Sequence, residues 1–139
     1  MEDKIMGLIL VCTGKYDVFL QPLLDSADKY LLPEHCIDIY LFADNDYPLN
    51  VSGRMTLRRF EVPRLPFPYP TLYRYKWITQ YSNSLTAKNL YYCDVDMLFV
   101  NEVGEEIFPD ETGLVATRHP GSIMVDGVII RPRNGLRLI

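Results

Sequence analysis

Apolar positions along the chain come in short solid runs, separated by turn residues and by stretches of helical period. In "KIMGLILVCTGKYD" the run from Ile5 to Cys12 closes at Thr13-Gly14. A run this short, bounded by glycine, has the pattern of a strand buried on both faces. Leu20, Leu23, Leu24, Ala27 and Leu31 then recur at spacings of three and four, with Pro22 suited to a first turn. This predicts a helix from Leu20 to Leu31, which Pro33 helps to stop. "CIDIYLFAD" reads as a second strand ending in the turn residues Asp44-Asn45-Asp46, and "MTLRRFEV" as a short third strand. "PRLPFPYP", with four prolines in eight residues, predicts an extended loop. Pro70 then opens a helix, "TLYRYKWITQYS", whose aromatic positions drift around its surface, and "AKNLYYC" supplies the next strand.

Strands alternating with helices predict an α/β fold, a parallel sheet with helices on its faces. Ligands of such sheets sit outside the carboxyl ends of the strands. Thr13-Gly14 and Asp94-Val95-Asp96 both fall at such ends. The expectation is one shared crevice, in a chain of 139 residues that is the size of one domain and shows no internal repeat.

Composition narrows the function classes. A formal charge of -4, with Lys and Arg scattered, offers no basic footprint for nucleic acid. Cys12, Cys36 and Cys93 have neither an even count nor CxxC spacing, which argues against a disulfide framework or a zinc site and for small buried residues. The longest apolar stretch is too short to cross a bilayer, and no charged segment with a cleavage site precedes it. The reading is a soluble, cytoplasmic chain without a transmembrane segment, with peripheral membrane association left open.

"YYCDVDMLFV" places two carboxylates one residue apart in an apolar run. Desolvation makes an unpaired carboxylate costly there, so a positive partner is expected. On a strand, residues i and i+2 share a side, and Asp94 and Asp96 can present their oxygens together while Val95 faces away. Hard oxygen ligands favour Mg or Mn, and two carboxylates leave coordination positions open for substrate phosphates. A metal-bridged diphosphate is a good leaving group. The alternative is that two aspartates simply end a strand in a solvated turn.

Taken in order, "LILVCTGKYDVFL", "YLFAD", "YYCDVDMLF" and "VGEEIFPDETGLVATRHPG" resemble glycosyltransferase family 6, the retaining enzymes that include the histo-blood-group A and B transferases and the α-1,3-galactosyltransferase. The resemblance runs from about Gly7 to Gly121. It implies a Rossmann-like nucleotide-sugar-binding sheet of the glycosyltransferase A type. The implied reaction is retaining transfer of galactose or N-acetylgalactosamine from UDP-Gal or UDP-GalNAc to the 3-hydroxyl of a galactoside, a glycan acceptor. By the same resemblance Val11, Cys12 and Thr13 hold uracil and ribose, Tyr16 lies near the base, and Arg74 contacts the sugar nucleotide. Asp94 and Asp96 hold Mn, with Mg as the alternative, through the diphosphate; Val95 lies near the ribose and His119 touches the acceptor.

The pattern breaks after "RHPG". The tail "SIMVDGVIIRPRNGLRLI" does not match the family, which makes residues 1–121 the nucleotide-sugar-binding part and 122–139 a divergent or truncated tail. Either the tail stems from a shifted frame or premature end, or "IMVDGVIIR" is a real strand that closes a shortened fold. The chain begins at the first strand, like soluble bacterial or phage-type members, whereas many relatives carry an anchor and stem. The family's late glutamate is absent, and neither Glu105 nor Glu106 stands in its place, so no catalytic residue is assigned. Donor and metal binding with weak or absent transfer is the expectation that follows. Two other readings are a DxD phosphatase, whose motif Leu98 and the late position both disfavour, and a fragment that folds only in part.

Overall fold

The computed structural model describes residues 4–116, 123–125 and 128–130. Four strands, β1 (Met6–Cys12), β2 (Ile37–Ala43), β3 (Met55–Glu61) and β4 (Asn89–Tyr92), form one parallel sheet in the order β3-β2-β1-β4. Helix α1 (Leu20–Tyr30) links β1 to β2, and α2 (Tyr69–Gln80) carries the chain from β3 at one edge back to β4 at the other. The strand order therefore reverses between β1 and β4, which is where open α/β sheets place their ligands.

Alternation along the strands sorts the core into two layers. Leu8, Leu10 and Cys12 of β1 join Ile37, Ile39 and Leu41 of β2 beneath Leu20, Leu23, Leu24 and Ala27 of α1. Ile9, Tyr40 and Phe42 face the other way and pack with Trp77 of α2 and with Leu85 and Ala87. Burial on both faces explains why β2 is buried at every position. Helix α2 covers its side with Trp77 as its one buried residue and leaves Leu72 and Tyr75 exposed, in keeping with its drifting aromatic pattern.

Asp38 is the buried exception, held by the Tyr40 hydroxyl, which donates to Asp38 Oδ2 at 3.0 Å and accepts the Ala87 N–H at 3.0 Å. Cys36 departs from the expected burial because it lies in the loop before β2 and is exposed, whereas Cys12 and Cys93 are buried. His35, read from sequence as a solvated turn residue, is partly covered, with Nε2 3.1 Å from Glu105 Oε1 and its ring edge-on to Phe108.

The tail contributes two short strands rather than one, β5 (Ile123–Val125) and β6 (Val128–Ile130), paired antiparallel with Val125 opposite Val128. Among the described residues no helix is long and apolar enough to cross a membrane.

Candidate active site

β4 pairs with β1 only as far as Ile9 opposite Tyr92, while β1 runs on to Cys12. Beyond that point the two chains part, and an open cleft of about 660 Å³ lies between them, walled by the proline-rich loop and the first turns of α2. Asp94-Val95-Asp96 thus sits just past the last paired residue of β4, in a turn rather than on the strand. The alternation expected of a strand persists all the same, for Cys93 and Val95 are buried, Asp94 is half-buried and Asp96 exposed.

The floor at the end of β1 is fixed by Asp44, whose Oδ2 accepts the Gly14 N–H at 2.9 Å. Its Oδ1 accepts the Tyr47 hydroxyl at 2.6 Å. Burial first, and the bond to Asp44 second, push the Tyr47 phenol upward and keep it a donor. Gly14 has φ +66°, a conformation glycine takes without strain, and the Arg64 guanidinium packs above it, 3.8 Å from where a Cβ would stand. A short 3-10 stretch, Gly14–Phe19, follows and brings Lys15 and Tyr16 to the rim.

The positive partner expected beside the aspartates is Arg74. Its Nη1 donates to the Tyr92 hydroxyl at 2.7 Å and to Asp94 Oδ1 at 3.3 Å, and its Nε donates to the Thr71 carbonyl at 3.0 Å. The guanidinium carbon lies 5.0 Å from the ring centre of Tyr92 and 5.6 Å from that of Tyr75. Burial works against its charge, but Tyr92 and Asp94 outweigh that and hold the Arg74 pKa above the usual value. Tyr92 in turn donates to Asp94 Oδ1 at 3.1 Å. Burial and the Asp94 charge raise its phenol to about 12, although Arg74 opposes them.

Of the residues singled out from sequence, Val11, Thr13, Tyr16, Arg74, Asp94, Val95 and Asp96 all line this cleft. Cys12 does not present its side chain there, being fully buried in the layer under α1. His119 lies outside the described residues. Residues that sequence reading did not single out are Arg64 and Lys15 on the rim and Tyr92 beside Asp94. Tyr92 was within reach of the alternation argument, since it stands two residues before Asp94 on the same side. Arg64 arrives on an aperiodic loop, and nothing local signals its position.

The cysteines give a test of this layout. Burial pushes the Cys12 thiol to about 12, with Asp17 and Asp44 adding to it, and pushes Cys93 to about 12, with Asp94 and Asp96 adding. The thiolate is the reactive form, so at pH 8 both are expected to react slowly with an aromatic disulfide reagent while exposed Cys36 reacts at once. A count of two or three fast thiols in the folded chain would contradict the placement of the β1 end and of the segment after β4.

The model for the family described as Glycosyltransferase family 6 matches residues 1–127, most of the chain. The chain belongs to glycosyltransferase family 6. Its parallel sheet with flanking helices is the α/β arrangement of a glycosyltransferase A type domain. Among curated family 6 relatives, the histo-blood group ABO system transferase 2 of Rattus norvegicus is 27% identical over 132 residues, covering 87% of this chain and 37% of that protein. The globoside alpha-1,3-N-acetylgalactosaminyltransferase 1 of Homo sapiens is 28% identical over 124 residues, covering 83% of this chain and 34% of that protein. The chain spans a little over a third of the length of the curated relatives it matches.

Among the described residues no group of three or more His, Cys, Asp or Glu side chains stands ready to hold a metal ion. Asp94 and Asp96 offer carboxylate oxygens to the cleft. Two hard donors do not complete the shell of a Mg- or Mn-like ion, and that donor set fits an ion whose remaining positions go to water and to the phosphate oxygens of a ligand.

Proposed function

We propose that this chain forms the donor-binding part of a metal-dependent hexosyltransferase that moves galactose or N-acetylgalactosamine from UDP to a hydroxyl of a galactoside, with anomeric configuration retained. In that reaction the bond between the anomeric carbon and the diphosphate oxygen breaks and its electron pair leaves with UDP, while a bond to the acceptor oxygen forms on the same face of the sugar and the acceptor hydroxyl's proton passes to the departing phosphate oxygen or to water. The observation that carries the reading is the convergence on one cleft of Val11, Thr13, Tyr16, Arg74, Asp94 and Asp96 at the switch point of the sheet.

The roles follow from chemistry. The ends of β1 and Val95 give the base and ribose an apolar and backbone surface, Cys12 contributing through its peptide groups alone. Tyr16 flanks the base. Arg74 gives the diphosphate a permanent, forked cation that a lysine would match only as a point charge. Asp94 and Asp96 would hold the divalent ion, which when bound stabilises negative charge on the departing diphosphate. His119 is assigned to the acceptor sugar, whose identity the names of the relatives frame as a glycan.

Calorimetric titration of the purified chain with UDP, with and without Mn, tests the reading. Binding should need the metal, and Asp94→Ala/Asp96→Ala should weaken it by about a hundredfold. Undiminished Mn-dependent UDP affinity in that variant would remove the site from these two residues. Turnover of a generic aryl phosphate is not expected, and its appearance would favour phosphatase chemistry.

A further inference from the structure

The β1 end of the cleft is not built like an anion-binding turn. In many parallel sheets the turn after the first strand aims its N–H groups, and the start of a helix, at a phosphate. Here the Gly14 N–H is already given to Asp44 Oδ2 at 2.9 Å, and a 3-10 stretch of 6 residues, Gly14–Phe19, stands where that helix would start. Asp44 also sets a carboxylate beside the turn, which on its own repels a phosphate. An anionic ligand that reaches this end of the cleft therefore needs a side-chain cation.

We infer that Arg64 is that cation, a further phosphate-binding residue that reaches a nucleotide donor from the β1 side of the cleft, while Arg74 stands at the β4 side. The inference rests on the reading of the cleft as a donor site. Nε and Nη2 of Arg64 both lie 3.8 Å from the point where a Cβ of residue 14 would stand, so the guanidinium is laid over Gly14 at the end of β1. Among the described residues Arg54, Arg58, Arg59 and Arg74 each pair with an aspartate. Arg64 is the described arginine that does not, and it stands exposed on the cleft. A guanidinium suits a phosphate, because its forked N–H donors bond two oxyanion oxygens at once.

The place of Arg64 is set by its neighbours rather than by a partner for its charge. Val62 is buried and donates its N–H to the Ala43 carbonyl at 3.0 Å, which ties the loop to the end of β2. Leu65 packs, half-buried, against the layer that holds Trp77. Pro63 and Pro66 fix φ on either side of these two residues. The base of the side chain is thus anchored while its tip is left to solvent and to whatever enters the cleft. Of the groups a nucleotide carries, the phosphates alone bring the negative charge that this tip lacks, since the base and ribose are neutral.

The test compares UDP, in the presence of Mn, with uridine on the full chain, UDP by calorimetry and uridine by ligand-observed NMR. Arg64→Gln should weaken UDP by about tenfold or more and leave uridine within about twofold, because the lost bonds go to phosphate. Arg64→Lys keeps the charge without the fork and should recover part of the loss. Added salt should weaken UDP less in Arg64→Gln than in the parent, one screened contact being gone. Lys15→Gln removes an equal charge from the same rim and should cost about threefold or less. A loss there as large as in Arg64→Gln would show a general field in place of a contact and overturn the inference. So would UDP affinity within about twofold of the parent in Arg64→Gln, or equal losses of UDP and uridine. In those cases a loss of Mn-dependent UDP binding in Asp94→Ala/Asp96→Ala leaves the donor site standing without Arg64. A parent chain that binds neither ligand removes the donor-site reading, and the role of Arg64 with it.

Discussion

Replacing Arg54 by methionine is expected to destabilise the fold by about 3 kcal/mol, a large share of the stability of a domain this size. Arg54 stands just before β3, and its guanidinium collects the end of α1 and the loop after it. Nη2 donates to the carbonyls of Ala27, Asp28 and Leu31, Nη1 to those of Leu32 and His35, and Nε to Asp28 Oδ1 at 2.9 Å. Helix ends leave carbonyls without partners, and many chains resolve this with a glycine in left-handed conformation. Here the left-handed residue is Leu32, at φ 44°, buried and with no glycine's freedom, so the arginine supplies what the turn lacks. Its removal leaves several carbonyls and the Asp28 carboxylate short of donors that methionine cannot replace. Urea unfolding should show a lower midpoint with an unchanged slope, and the melting temperature should fall by roughly 10 °C. Arg54→Lys should recover less than half of the loss, since one ammonium cannot span carbonyls on two sides. A loss below about 1 kcal/mol in Arg54→Met would mean that water satisfies these groups unaided.

Nothing near Arg54 in the sequence announces this role, because its partners lie 19 to 27 positions away. The contrast with the strands is instructive. Buried parallel strands write themselves as solid apolar runs, and α1 as a period of three and four, so element order and the parallel sheet were legible before any coordinate. The site was legible where it rides on those elements: Thr13 follows a strand, Asp94 follows another, and Arg74 sits on a helix between them. It was illegible where it depends on aperiodic chain. The 3-10 turn after Gly14 has no pattern that separates it from loop, and Arg64 rides on a proline-rich segment. The early end of β4 depends on where β1, its partner strand among the described residues, stops matching it. That last feature is also why the aspartates stand in a turn, with the cleft opening where pairing runs out.

The joint between β1 and β4 carries the second large effect. Gly7 stands opposite Leu90 in the β1–β4 register, and a Cβ there would overlap Tyr40 Cε2 and lie 2.9 Å from the Ala87 Cβ. Neither neighbour can yield cheaply. Tyr40 is fully buried, its hydroxyl fixed between Asp38 and the Ala87 N–H, and Ala87 leads directly into β4. Gly7→Ala is therefore expected to cost about 3 kcal/mol through overpacking. Because the strain falls on the segment that carries Asp94 and Asp96, the surviving folded molecules should also bind UDP with Mn more weakly, a loss that a purely global destabilisation would not give at temperatures well below the melt. Tyr40→Leu removes the ring atoms that collide, at the expense of the two hydrogen bonds. The double variant Gly7→Ala/Tyr40→Leu should then be more stable than the sum of the single losses predicts, by about 1 kcal/mol or more. Strict additivity in that cycle would show that the glycine is not kept free of a side chain by Tyr40, and that the β1–β4 joint tolerates a methyl group by some other movement.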